Sequence, residues 1–234
     1  MIFSLPDDIS DELIKLQKMN EDIKNNLNMI SEKRNKKDVQ HQVLFISLVR
    51  VVKYFDAYLL LARNGYGEPA VCLLRSIFEA SLWMRWSLKK YENAEIYFNA
   101  SKAEAIRMLE ITISKNLGRI KDTPDPELVR QLLKSKIKEY KLPGWHKMAN
   151  DTDLGDLYAM IYPLLSAMSH GTMMFLGERV KNMEVSPEAD QKNIKPFIAI
   201  AHNLLRDCYL VCRQWIINGK LRPVPDFRKL MTML

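Results

Sequence analysis

Arg75 and Glu79 are charged residues in a segment that is otherwise apolar from Val71 to Trp83. They stand four residues apart, so a helix would place both side chains on the same face. Burying a charged pair in an apolar helix costs free energy unless each group finds further hydrogen bonds. We therefore expect Arg75 and Glu79 to be partly buried and to meet polar groups from another helix.

A second polar feature is a stripe formed by Tyr158, Tyr162, Ser166 and His170, which follow one another at steps of four residues. Residues at this spacing share one helix face. If the stripe meets Arg75, the site combines an acid–base group, a fixed cation and a carboxylate. Such a set could form a ligand-binding or catalytic site. The alternative is a buried network that fixes helix register and does no chemistry.

Helices must position these residues, because the apolar residues recur at helical spacing and no run alternates with a period of two. Pro-Gly and Asn-Gly signals separate the segments, and Leu142–His146 is predicted to be a turn. The predicted helices span residues 7–33, 39–63, 68–90, 93–117, 123–140, 153–169 and 186–217. This pattern predicts an all-α fold, a single bundle of about six or seven helices.

The 234 residues, 47% hydrophobic and 27% charged, exclude a disordered or collagenous chain. We divide the chain into an N-terminal amphipathic helix with a charged break (1–38), a helical core (39–219) and a basic tail (220–234). The formal charge of +7 is compatible with an anionic partner such as RNA but does not identify one. Basic residues concentrate in 33–37, 134–147 and 220–229, and interleaved acidic residues favour scattered patches.

The N-terminal segment carries a heptad-like apolar stripe that is interrupted by Asn20. One interpretation is a helix packed on the body of its own chain. The other is a homodimer seam, in which a polar residue at a core position fixes the register. Because the stripe is longer than a surface helix needs, a homodimer is predicted.

Sequence signals for a membrane segment, a metal or a cofactor are missing. The longest uncharged apolar run, Val39–Val49, is too short to cross a bilayer, and the first residues do not read as a secretory signal. The 3 cysteines favour a reducing cytoplasm over a disulfide framework. The 4 histidines lie far apart, and no phosphate-binding or zinc motif occurs. We expect a cytoplasmic protein with no membrane contact, no metal and no cofactor.

The segments 74–80 (Leu-Arg-Ser-Ile-Phe-Glu-Ala) and 162–171 (Tyr-Pro-Leu-Leu-Ser-Ala-Met-Ser-His-Gly) carry a resemblance. The chain resembles a widespread prokaryotic helical family of unknown function over roughly residues 43–176. That family is similar, more distantly, to the HEPN nucleases of toxin and antiphage systems. Those nucleases cut RNA without metal, using an arginine and a histidine across a dimer cleft. The resemblance implies an HEPN-like bundle and a toxin-like or defence role.

The nucleases' own motif, an arginine followed after four to six residues by a histidine, has one loose match at Arg34 and His41. This pair is an alternative catalytic site. The match comes early in the chain, whereas the nucleases place the motif late in the bundle. A charged break between helices is also rich in such residues for reasons of solvation.

Two functions are therefore predicted. The first is a metal-independent endoribonuclease or toxin-like effector in which His170 is the acid or base, Arg75 binds phosphate and Glu79 orients them. Tyr162 and Ser166 complete that site. The second is a non-catalytic helical module that binds a protein partner, such as an antitoxin, or a small ligand, with the same residues serving as architecture.

Overall fold

The computed structural model describes residues 6–114, 142–169 and 191–219. Within these ranges every regular element is a helix, which confirms the all-α prediction. The predicted helix over 123–140 and the basic tail lie outside the described residues. The helices are α1 (Asp7–Lys33), α2 (Val39–Arg63), α3 (Gly67–Lys89), α4 (Tyr91–Ser114), α5 (Trp145–Asn150), α6 (Gly155–Ser169) and α7 (Gln191–Asn218).

A hairpin of α2 and α3 forms the centre of the structure. Helix α2 ends at Arg63, and Gly65 takes a φ of 81°, a left-handed conformation that suits glycine at a helix end. Helices α1, α4 and α7 pack against α2, while α4, α5, α6 and α7 pack against α3. Both central helices are apolar on most sides because neighbours surround them. In the described ranges, no helix is both long and apolar enough for a bilayer crossing.

Helix α1 lies on the body of its own chain, against α2 and α7. Its stripe is buried in the common core at Ile9, Leu13, Leu16, Asn20, Ile23 and Ile30. The intrachain interpretation is confirmed, and the dimer-seam interpretation of this stripe was wrong because the chain itself covers the apolar face. The predicted homodimer thus loses the seam predicted for it, and the oligomeric state itself stays a prediction.

Asn20 holds the register of α1 against α2. It is fully buried, and its Nδ2 donates to Asp56 Oδ1 at 2.7 Å. Lys24 of α1 reaches the same carboxylate oxygen at 2.6 Å. The polar residue in the apolar stripe therefore fixes a contact between two helices of one chain, the role we had assigned to it between two chains.

Helix α5 differs from the sequence-based prediction, which had a turn over Leu142–His146. The chain is irregular at residues 142–144 and then forms a six-residue helix, Trp145–Asn150. Met148 and Ala149 bury the inner side of this helix. Six residues give fewer than two helical turns, so the hydrophobic period is too short to be recognised against the Pro-Gly signal that precedes it.

Candidate functional site

Arg75 joins helices α3 and α6 through its guanidinium group. Its Nε donates to Glu79 Oε1 on the next turn of α3, at 3.1 Å. Its Nη1 donates to Ser169 Oγ at 2.7 Å, and its Nη2 donates to Tyr162 OH at 3.2 Å. Residues that are distant in the chain thus meet at one cation, as expected for a charged pair in an apolar helix. We call these four residues the Arg75 network.

Tyr162 links the two sides of the Arg75 network. Its hydroxyl accepts from Arg75 and donates to Glu79 Oε1 at 3.1 Å, and the guanidinium carbon lies 5.3 Å from the centre of its ring. Burial raises the pKa of the Tyr162 hydroxyl, against the opposing effect of Arg75 and with a further rise from Glu79. The phenol therefore keeps its proton at neutral pH and acts as a donor.

Ser169 occupies the place that the sequence suggested for Ser166. The Ser169 hydroxyl accepts from Arg75 and donates to the backbone carbonyl of Ser166 at 3.0 Å. A seven-residue step, as from Tyr162 to Ser169, departs by about 20° from one helix face, and a four-residue step departs by more. The seven-residue spacing from Tyr162 was the sequence signal that pointed to Ser169, whereas the predicted polar stripe follows steps of four residues and therefore names Ser166.

His170 lies outside the described residues, so its meeting with Arg75 and Glu79 stays a prediction. It follows Ser169 directly in the sequence, and the Ser169 hydroxyl is in contact with Nη1 of Arg75 at 2.7 Å. Of the other predicted members, Arg75, Glu79 and Tyr162 come together, and Ser166 takes part through its backbone carbonyl, which accepts from Ser169.

An aromatic wall supports the Tyr162 hydroxyl. Tyr158, the first member of the predicted polar stripe, stacks on Tyr162 with ring centres 4.6 Å apart and planes 19° apart. Phe78 of α3 lies 6.1 Å from the Tyr162 ring, and Trp145 of α5 lies 6.4 Å from it. Packing from three helices fixes the ring, so the position of its hydroxyl depends little on the hydrogen bonds that it makes.

The alternative pair, Arg34 and His41, makes two separate local contacts. His41 Nδ1 accepts from the backbone N–H of Asn35 at 3.1 Å, which closes the turn before α2. The Arg34 guanidinium carbon lies 4.5 Å from the centre of the Phe45 ring. Both side chains therefore stabilise the connection between α1 and α2, and this geometry does not favour them as a joint acid–base pair.

A second arginine network, which the sequence analysis missed, ties α3 to α7. Arg85 donates from Nε and Nη2 to the carboxylate of Asp207, the former bond measuring 3.1 Å, and from Nη1 to Asp153 at 2.8 Å. Ser81 Oγ lies 3.3 Å from Asp207 Oδ2. We call these four residues the Arg85 network. A charge inside the apolar run 82–86 was the signal that could have revealed it.

Burial and the neighbouring carboxylates have opposite effects on the charge of Arg85. The side chain of Arg85 is 4% exposed and that of Asp207 is 6% exposed. Burial disfavours the Arg85 cation, but the attraction and hydrogen bonds of Asp207, aided by Asp153, raise its pKa above the usual value. The carboxylates therefore hold a permanent positive charge in the interior.

A metal site is not formed by the part of the chain that the structure describes, since no group of three or more metal-ligating side chains converges there. Of the basic segments, 33–37 is described, whereas 220–229 and most of 134–147 lie outside the described residues. Their convergence on one face therefore stays untested.

Comparison with known proteins gives one match. The model of a family of unknown function (DUF5677) matches residues 41–187, a range that includes α3 and α6 and therefore the whole Arg75 network. No curated protein and no solved structure matches the chain.

Proposed function

Because the chain belongs to this family of unknown function, its role has to come from the site, and we propose that it is a metal-independent endoribonuclease of the toxin or antiphage type. The observation that carries the proposal is the nature of the groups around Arg75. Two hydroxyls, both neutral, occupy the outer guanidinium nitrogens, and the side chain is 22% exposed. A cation held in this way can exchange hydroxyl partners for an anion.

A phosphate would bind Arg75 by replacing Ser169 and Tyr162 at Nη1 and Nη2. Charge-assisted bonds between guanidinium and phosphate are about twice as strong as bonds to neutral oxygens. Glu79 would keep its bond to Nε, at 3.1 Å, and hold the plane of the guanidinium group. The resting hydrogen bonds therefore preorganise Arg75 for a bidentate contact.

Cleavage at this site needs two proton transfers. A base takes the proton of the 2′-hydroxyl while its oxygen attacks phosphorus, and an acid protonates the departing 5′-oxygen, leaving a 2′,3′-cyclic phosphate. We assign one of the two transfers to His170, because the unperturbed pKa of a histidine side chain, about 6.5, suits either role, and the other to a water molecule. Tyr162 stays protonated and donates to the phosphate. Ser166 shapes the site through the carbonyl that holds Ser169.

The second candidate is a non-catalytic module that binds a protein partner, such as an antitoxin, or a small ligand. One observation favours it: Nε, Nη1 and Nη2 of Arg75 each already have a partner within the protein. A network that bridges α3 and α6 in this way can also serve as architecture.

RNA cleavage in the presence of a chelator separates the two candidates. For the nuclease we expect wild type to release products with 2′,3′-cyclic phosphate ends, and His170→Ala to lose about 100-fold or more in rate. Arg75→Lys keeps the charge but loses the forked contact, so it should also be slow. Arg107→Lys is the matched control, because Arg107 lies on the surface and pairs with Glu104. If wild type and His170→Ala are equally inactive on varied RNAs, the interaction module replaces the nuclease.

A further inference from the structure

A cavity of about 670 Å³ lies between the end of α3, the beginning of α4 and the segment that leads into α5. Its lining includes Lys89, Lys90, Lys147 and Asp151. Ligand pockets for small molecules commonly measure roughly 300–1,000 Å³, so the cavity has room for one. None of these residues belongs to the Arg75 network.

Positive charge dominates this cavity. Lys89, Lys90 and Lys147 are exposed, and in the described ranges the structure pairs none of them with a carboxylate. Asp151 is the one acidic residue among those described around the cavity, which leaves a net charge of about +2 on the lining. Like charges that converge without counter-ions repel one another, and an anion bound between them removes that repulsion.

Part of the cavity lining is apolar. Trp86, Ile96, Leu142 and Pro143 contribute to it, and Trp86 is almost completely buried at 5% exposure. Asn93 Nδ2 donates to the backbone carbonyl of Trp86 at 2.9 Å, which ties the start of α4 to the end of α3. A ligand that fits must therefore combine anionic groups with a compact, largely apolar body.

We propose that this cavity binds a nucleotide, with its phosphate at the three lysines and its base against the apolar part of the lining. A nucleotide offers several phosphate oxygens to ammonium groups and a flat aromatic base whose faces can stack on apolar side chains. The site stands beside the proposed nuclease function and does not rest on it, because it is built from different residues.

Aromatic rings at and next to the cavity make tryptophan fluorescence a way to detect a bound ligand. Trp86 lies 5.8 Å from Trp83, and Trp83 lies 5.3 Å from Trp145. Trp145 is in turn 6.4 Å from Tyr162 of the Arg75 network. Three of the chain's 4 tryptophans therefore lie at or near this cavity, so a ligand there changes the intrinsic fluorescence of the protein.

Titration of the full chain with ATP, followed by tryptophan fluorescence, tests the proposal. We expect a saturable change with ATP and none with adenosine at the same concentration. Lys89→Ala combined with Lys147→Ala should weaken binding by about tenfold or more, since two charge-assisted contacts are lost. Lys18→Ala combined with Lys53→Ala is the matched control, because both lysines are exposed and lie on other helices.

Short RNA oligonucleotides distinguish the two sources of nucleotide phosphate. Binding of ATP identifies a free nucleotide, whereas binding of a 5′-phosphorylated oligonucleotide without binding of ATP identifies an RNA end. ATP binding is measured without RNA cleavage and at different residues, so failure of the nuclease proposal leaves this one standing. The proposal is overturned if neither ligand binds, or if the control pair of substitutions weakens binding as much as the cavity pair.

Discussion

Helix α3 carries two arginines, Arg75 and Arg85, which differ in their exposure to solvent and in their hydrogen-bond partners. Arg75 is 22% exposed and, among the described residues, contacts one carboxylate of its own helix and two hydroxyls of α6. Arg85 is 4% exposed and binds two carboxylates, Asp207 on α7 and Asp153 just before α6. The first cation lies at the edge of the core, where water reaches it, and the second is sealed inside the core.

This difference in exposure and partners indicates which of the two guanidinium groups can exchange its partners for a ligand. Removing Arg85 from its carboxylates would strand charges away from water, which costs several kcal/mol. Replacing a hydroxyl beside Arg75 with a phosphate strands no charge, because the hydroxyls are neutral and water reaches the side chain. This difference supports the proposal that a ligand binds at the Arg75 network, and it favours a stabilising role for the Arg85 network.

The largest effect is expected from Arg85→Met. This substitution leaves Asp207, which is 6% exposed, without its counter-ion, so the free energy of unfolding should fall by about 3–5 kcal/mol. Urea denaturation followed by circular dichroism measures the loss. Adding Asp207→Leu should restore much of it, because a hydrophobic pair of similar volume can replace a buried ion pair. A loss of under about 1 kcal/mol in the single variant would contradict the sealed-network interpretation.

The burial of the Arg85 network should also make the stability of the protein depend on alkaline pH, through the thiol of the neighbouring residue Cys208. Burial, reinforced by the charge of Asp207, raises the pKa of this thiol from 9.0 to about 12. Above the unfolded value the unfolded thiol loses its proton while the folded one keeps it. Stability should therefore fall by about 1.4 kcal/mol per pH unit as pH rises from the unfolded towards the folded pKa.

Cys208→Ala tests this pH dependence. Unfolding free energies of wild type and variant, measured at several pH values from neutral to alkaline, should differ by an amount that changes steadily once the unfolded thiol ionises. Cys72→Ala is the comparison, since Cys72 is half-buried and should alter the slope less. Parallel pH profiles for wild type and Cys208→Ala would show that the thiol is not sealed.

A smaller loss is expected from Arg75→Ala, about 1–2 kcal/mol in the free energy of unfolding. The Glu79 carboxylate is 23% exposed, so water can solvate it when its partner is gone. Arg107→Ala, at an exposed pair, should stay within about 0.5 kcal/mol. A loss as large as that of Arg85→Met in the same urea assay would make the Arg75 network architectural and favour the interaction module.

The smallest effect should come from Tyr162→Phe, which keeps the stacked ring and removes its hydroxyl. Two hydrogen bonds disappear at a partly solvated site, so we expect a loss of about 0.5–1.5 kcal/mol in a urea titration. Tyr158→Phe is the matched control on the same face of α6. A double-mutant cycle with Glu79→Gln isolates their coupling, and a coupling near zero would remove Tyr162 from the network.

Local signals predicted most of the described fold. The Asn64-Gly65 stop and Pro69 in the first turn placed the boundary between α2 and α3 to within one residue, because capping depends on neighbours in the chain. Helix α5 was missed because a helix of six residues shows no full hydrophobic period. The surface that packs on the apolar stripe of α1 could not be predicted from the hydrophobic pattern either, since an apolar face does not specify which surface covers it.

The site was predictable as far as helix geometry reaches. Arg75 and Glu79 follow from a four-residue step, and Tyr162 from the polar residues on α6. The Arg85 network escaped because its carboxylates are 122 and 68 residues away, and no local spacing announces them. A single buried charge in the sequence shows that partners must exist without showing where they are.

Asp207 lies beyond residue 187, where the family match ends, whereas Arg85 lies within the match. One of the two counter-ions of Arg85 is therefore supplied by a helix outside the shared segment, and the other, Asp153, lies within it. A descendant that lost α7 would keep only the half-exposed Asp153 beside this arginine, so we expect selection to act on positions 85 and 207 together. We expect sequences of this family that lack a basic residue at position 85 to lack the acidic one at position 207 as well. The segment that the family shares ends at residue 187, but the contacts on which that segment depends extend to Asp207 in α7.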